Sequence, residues 1–275
     1  MRVRVAGDER VGQAVDLRSA AVEPGQLSAA LADPSAEWID APAPTPPHDA
    51  VGLLQPGMEL DLRTALAAAG RSLGLVAPQA AEIARLDREI AAIEPDSPDL
   101  RAARHRAAEA GADVAALEEQ VARTSGRLAA RREADLPTEA VQAKLDDLTR
   151  KLTEAETEQI AAQEALERAE AAAQAARDAR ARRLSLVDRR ENRRREARAW
   201  FLDALAEPFE RALASLPGDA APTPPASFDG PTLTGALAVA RIADLSTPVV
   251  LVDGPFETAV EARAALDAPV VLASV

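Results

Sequence analysis

Two stretches of this 275-residue chain hold residue types in an order that could do chemistry. In PVVLVDGPFE, residues 248–257, four apolar residues run into Asp253, as a buried strand does when it ends on a magnesium-binding aspartate. The next residue would then be a glutamate that activates water, and it is Gly254. The plain structural alternative is a buried strand entering a turn. Asp253 would cap that turn, and Glu257 would sit on the first turn of the following helix, where an acid suits the dipole.

The second stretch is RDARARRLSLVDRRENRRREAR, residues 177–198, with ten arginines against four acids. Its local charge of +6 stands in a chain of net charge −13. Charge segregated in this way binds phosphate backbones non-specifically. Arg189, Arg190, Arg193, Arg194, Arg195 and Arg198 are the residues expected to carry such contact. The alternative is that they pair with acids one turn away or on the facing helix. Few other candidates exist. His48 and His105, the only histidines, lie in different elements and read as surface residues. Without cysteine there is no disulfide and no thiolate metal site, and neither a metal nor another cofactor is expected.

The bulk composition sets the context. Asp and Glu number 45 against 32 Lys and Arg, only Lys144 and Lys151 are lysines, and aromatics make up 2%. Excess acid with little lysine is a pattern of salt-adapted proteins, so a haloarchaeal source and a cytoplasmic setting are expected. The N-terminus MRVRVAGDERVG lacks the apolar core of about 7–15 residues that marks a signal peptide. No apolar run nears the roughly 18 residues a membrane span requires.

The elements that would position the two stretches differ along the chain. Residues 1–77 read as short mixed elements: strand MRVRV, a turn at AGDERVG, and AVDLR as the second strand of a hairpin. A short helix between Pro24 and Pro34 follows, then a strand at EWID, a proline-rich loop at 41–49, and MELDLRTALAAAGRSLG as a strand merging into a helix closed by Gly74.

From Pro78 the spacing becomes heptad-like. Ile83, Leu86, Ile90 and Ile93 form a first seam, interrupted at EPDSPD by Pro95 and Pro98. It resumes at Leu100, Ala103, Ala107, Ala110, Val114, Leu117, Val121, Thr124 and Leu128. A second helix carries Leu145, Leu148, Leu152, Ala155, Gln159, Ala162, Leu166, Ala169, Ala173 and Ala176, and has no proline until Pro208. The break near 133–140, with Pro137 in it, makes residues 78–216 an antiparallel coiled-coil hairpin rather than a rod.

Residues 217–227 are a linker, and 228–275 alternate again as a βαβ unit with strands VVLV and VVLAS. Strands apolar on both faces belong inside a parallel sheet, and two alone cannot bury themselves. The fold class expected is therefore an α/β head. Its small, mostly parallel sheet would be built from both chain ends, with the hairpin inserted in the middle.

That layout resembles the SMC/Rad50 group of ABC-type ATPases, which run head half, coiled-coil hairpin, head half. The local match is AVARIADLSTPVVLVDGP, residues 238–255, where Ala238, Ala240 and Arg241 precede Pro248, the strand and Asp253-Gly254-Pro255. LTGAL, residues 233–237, is similar to a shortened form of that group's L-S-G-G-Q signature. The resemblance implies nucleotide chemistry that the chain departs from. No G-x-x-x-x-G-K-[ST] stretch is present, and DLRTALAAAGRSLG, where the first head helix would begin, has no glycine cradle. The C-x-x-C hook and the hinge domain are missing too. The reading that follows is a non-enzymatic protein acting through a protein partner, an intact ATPase of that group or a second copy of itself, with chromosome or DNA maintenance as the setting. The competing class is a DNA binder working through residues 177–198.

Overall fold

The computed structural model describes residues 1–5, 8–20, 22–33, 35–94, 98–218 and 221–274. The expected roles of Ala6 and Gly7 in a turn, of Pro34 in closing a helix and of Pro95 in breaking the first seam lie outside these residues. In chain order the elements are β1 (Arg2–Val5), β2 (Asp8–Val11), β3 (Ala14–Asp16), α1 (Pro24–Ala32), β4 (Ile39–Asp40), α2 (His48–Val51), β5 (Leu53–Leu54), α3 (Leu62–Ser72), α4 (Ala80–Ala91), α5 (Leu100–Glu133), α6 (Glu139–Ala204), α7 (Ala206–Ser215), α8 (Thr232–Ile242), β6 (Val249–Val252), α9 (Ala259–Leu266) and β7 (Val270–Ala273). The chain divides into two compact units, residues 1–85 with 189–275 and residues 86–188. The division falls inside α4 and α6 rather than near residues 78 and 216.

The first unit is built on a parallel sheet drawn from both ends of the chain, in the order β3-β7-β6-β5. Strands β6 and β7 are buried at every position, as their unbroken runs of Val, Leu and Ala require. Period two divides the two strands between two cores. Val249, Leu251, Val270 and Leu272 meet Phe209, Leu213, Val239 and Leu266 of α7, α8 and α9 on one face. Val250, Val252, Val271 and Ala273 meet Val3, Leu27 and Leu31 on the other.

Two N-terminal strands fall elsewhere than the sequence alone indicated. Strand β1 pairs antiparallel with β2, Val5 opposite Asp8, so the strand that pairs with it in sequence order is DERV. Ala14–Asp16 instead runs parallel to β7. The residues that reach β6 are Leu53 and Leu54, opposite Val250 and Leu251, whereas Leu60 and Leu62 only pack against the core. A two-residue strand has too short a pattern to show period two, and MEL at 58–60 forms no strand.

The proline-rich segment after β4 is tied to the start of β6. The fully buried Thr247 hydroxyl lies 3.1 Å and 2.8 Å from the carbonyl oxygens of Pro42 and Ala43. His48 is buried, with Nε2 2.8 Å from the Pro248 carbonyl oxygen; it is a structural tether and not the surface residue expected.

Near its end α6 packs on α3 by a close approach at Gly70. A Cβ there would stand 2.5 Å from Phe201 Cδ1, and Trp200 meets Phe201 edge-on at 5.1 Å. Helix α6 ends at Ala204, ahead of Pro208, which falls in the first turn of α7, where its missing N–H costs little.

The second unit holds α5 with most of α6. Arg132 donates to Gln142 at 3.0 Å, a Cβ on Gly111 would lie 3.5 Å from Gln159 Nε2, and Arg104 meets Glu170 at 3.3 Å. Position falls along α5 as it rises along α6, so the helices run antiparallel over these residues. The seam residues Ala110, Val114, Thr124, Leu128, Leu148 and Ala176 are buried. The remaining seam positions of both helices are half-buried, while the residues between them are mostly exposed. Many seam residues are alanine, so each contact removes little apolar area.

Candidate functional site

Phosphate binding in a parallel sheet needs a strand-to-helix connection whose backbone N–H groups are free and whose residues carry positive charge. On the N-terminal side there are two strand-to-helix connections to compare with this form. The first, β3 to α1, spans residues 17–23, and its described residues Leu17, Arg18, Ser19, Ala20, Val22 and Glu23 include no glycine. It is this connection, rather than DLRTALAAAGRSLG, that opens the parallel sheet. Its arginine is committed: Arg18 grips the Asp16 carboxylate and donates to the Glu257 carbonyl oxygen at 2.7 Å.

The second connection, β5 to α3, ends on Asp61, which occupies the helix N-terminus itself. Its Oδ1 accepts from the backbone N–H groups of Arg63 at 3.1 Å and Thr64 at 3.2 Å. Its Oδ2 accepts from the Thr64 hydroxyl at 2.7 Å. The chain's own carboxylate thus takes the helix N–H groups that a phosphate would use.

The Thr64 hydroxyl is the main cause holding the Asp61 carboxyl below its ordinary range, aided by the two backbone donors and the Arg198 charge. A carboxyl that is more acidic folded than unfolded contributes stability above the unfolded pKa, and that stability is lost as pH falls through the folded value. Asp61→Ala is therefore expected to cost about 1 kcal/mol at neutral pH. The gap to the parent, measured by urea unfolding, should shrink below roughly pH 4. A gap that stayed constant down to pH 3 would show that the cap contributes nothing through its charge.

At the end of β6, Asp253 has φ of 45°, in the left-handed region where a non-glycine residue is strained. It caps nothing. The N-cap of α9 is Thr258, which accepts from Glu261 N–H at 3.1 Å. Glu257 precedes that helix, and its N–H donates to the Glu261 carboxylate at 3.0 Å, so Glu261 ties the residue before the cap to the first turn. Gly254 answers the question raised by PVVLVDGPFE. A Cβ at 254 would lie 2.7 Å from both Cγ and Cδ1 of Leu251, and Leu251 is 1% exposed. The position has no room for the glutamate of a hydrolytic strand unless a core residue moves.

Outside the carboxyl ends of β5 and β6, where open α/β sheets take their ligands, lies a cavity of about 810 Å³. Gly57, Phe228, Asp229, Thr232 and Asp253 are among its walls. Two carboxylates face it, and no lysine, arginine or histidine is among its described lining residues. A polyphosphate would be repelled there. The glycine of LTGAL sits in the first turns of α8 for a packing reason, since a Cβ on Gly235 would stand 3.0 Å from Phe228 Cε1. Among the described residues, no group of three or more His, Asp or Glu side chains is placed to hold a metal ion.

The six arginines separate into two sets. Arg189 pairs with Glu82, and Arg193 pairs with Glu82 at 2.8 Å and with Glu196 at 2.6 Å. The Glu82 carboxyl is held below its usual range, chiefly by the hydrogen bond from Arg189. Arg190 and Arg194 both reach Glu191, at 2.9 Å and 3.2 Å. Among the described contacts Arg195 donates to the Asn192 side-chain oxygen, and Arg198 stands near Asp61. These last two share a groove with Arg63 of α3, a residue that sequence reasoning missed because it lies 132 positions before Arg195 and belongs to no charged run.

Neither the curated proteins nor the solved structures include a match to this chain. A family model does match it, over residues 12–270, which takes in both strand-to-helix connections, both long helices and three of the four strands of the parallel sheet, ending at the first residue of β7. The chain therefore belongs to the family of unknown function DUF7856.

Proposed function

We propose that this chain is a non-catalytic, SMC/Rad50-like protein, an α/β head with an antiparallel coiled-coil hairpin inserted in it, that acts by binding a protein partner. The partner is an intact ATPase of that type or a second copy of the chain, and the setting is chromosome or DNA maintenance. The observation that carries the reading is the placement of carboxylates where phosphate chemistry needs donors and cations. Asp61 fills the N-terminus of α3, and Asp229 and Asp253 face the cavity at the strand ends. Long paired helices, in a chain whose sequence holds no phosphate-binding cradle, fit a protein whose work is done by contact.

The purified chain with magnesium and ATP is expected to show no phosphate release above the buffer blank. Turnover that disappears on Asp253→Ala would overturn the proposal. Where the gene lies beside one for an SMC-type ATPase, co-expression of the two is expected to give a complex that survives size exclusion. A nucleic-acid reading of residues 177–198 has less support, because four of the six arginines expected to touch DNA are already paired with glutamates.

A further inference from the structure

We infer that Arg63, Arg195 and Arg198 form a binding site for a single phosphate-type oxyanion, in the groove between the start of α3 and the last turns of α6. The groove measures about 360 Å³ and is lined by Asp61, Arg63, Thr64, Arg195, Arg198 and Ala199. That volume is at the lower end of the range for small-ligand sites.

Three arginines line it from two elements far apart in sequence, against one carboxylate. That carboxylate, Asp61, is engaged with Arg63 N–H, Thr64 N–H and the Thr64 hydroxyl. It opposes an incoming anion but leaves a net local charge of +2 from the side chains named. Among the described contacts, Arg195 holds one neutral partner, Asn192, and neither Arg63 nor Arg198 has a carboxylate at ion-pair distance. Arg63 and Arg195 are exposed and Arg198 is half-buried, so the donors are accessible. Guanidinium forks match the oxygen spacing of phosphate and bind it with charge-assisted hydrogen bonds.

The same geometry favours a point anion over a nucleic-acid backbone. A duplex presents a charge about every 1.7 Å along its axis and is held by a track of unneutralised cations. Just before Arg195 on α6, Arg189 pairs with Glu82, Arg193 pairs with Glu82 and Glu196, and Arg190 and Arg194 reach Glu191. Among the six arginines from Arg189 to Arg198, the two without a described carboxylate at ion-pair distance therefore share one groove with Arg63. The ligand is free phosphate or a phosphomonoester, since both present the same oxygens.

The test uses the full chain, with thermal unfolding followed as inorganic phosphate is titrated at an ionic strength held constant with sodium chloride. Phosphate is expected to raise Tm in the parent, by mass action on the folded state. The Arg63→Gln/Arg195→Gln/Arg198→Gln variant should bind at least about tenfold more weakly, and Arg189→Gln/Arg193→Gln should respond as the parent does. Arg63→Gln alone, on an exposed position, should weaken binding without loss of fold. O-phosphoserine in a parallel titration separates the sources: tighter binding than phosphate assigns the site to phosphomonoesters, weaker binding to the free ion. An unchanged Tm in the parent, an equal response in the triple variant, or duplex DNA bound through the same three arginines more tightly than phosphate would each overturn the inference.

Discussion

Phe209→Ala is expected to remove about 3–5 kcal/mol of unfolding free energy. Phe209 is among the largest fully buried side chains of the first unit, and Phe228 meets its ring edge-on, with centroids 5.5 Å apart at 88°. Truncation therefore loses the transfer energy of the ring, the edge-to-face pairing and the filling of a core where four elements join: α7, α8, α9 and the face of β6 and β7. The chain contains four Phe, two Trp and no Tyr. Alanine-rich α8 cannot expand to close the void. Phe228 also walls the cavity at the strand ends, so the variant should alter that cavity as well. Trp38 and Trp200 both lie in the first unit, so urea unfolding followed by tryptophan fluorescence reads this unit directly. A loss below about 1 kcal/mol would mean that α7 is not part of its core.

Gly254→Glu is expected to bring no ATP hydrolysis and to destabilise the first unit by about 1–3 kcal/mol, the usual cost of overpacking. The substitution restores the residue that a hydrolytic strand would carry after Asp253, yet its Cβ would lie 2.7 Å from Leu251 Cγ. Leu251 is locked between β5 and β7 and faces the Phe209 core, so it cannot step aside cheaply. Any carboxylate placed there also joins Asp229 and Asp253 around a cavity whose described lining residues include no cationic side chain, which raises the repulsion felt by a phosphate. Measured ATP turnover in Gly254→Glu, with stability unchanged, would show that glycine replaced a catalytic residue at no structural cost. It would also return the protein to the enzymes.

Some of this molecule was determined by the sequence alone, wherever a pattern repeats locally. The heptad spacing from Leu100 to Leu128 and from Leu145 to Ala176 assigned the buried face of both long helices, because a 3-4 repeat leaves one stripe to bury whatever the partner is. The unbroken apolar runs of β6 and β7 required a parallel sheet covered on both faces, and two strands alone could not supply it. The absence of a glycine-lysine cradle was equally legible, since that chemistry needs contiguous residues.

Only the tertiary structure decided what depends on distant partners. DERV and not AVDLR closes the hairpin because AVD is held by β7, more than 250 residues later. Leu53 and Leu54, too few to show any period, become a strand only because β6 offers them Val250 and Leu251. His48 is buried because the Pro248 carbonyl waits for it. The arginines of α6, alike in sequence, divide into a neutralised set and an open set according to where Glu82 and Arg63 fall. A charge reads the same in a sequence whether or not a partner stands beside it; only the folded chain brings the partner within the few ångströms at which Coulomb energy and hydrogen bonds decide its role.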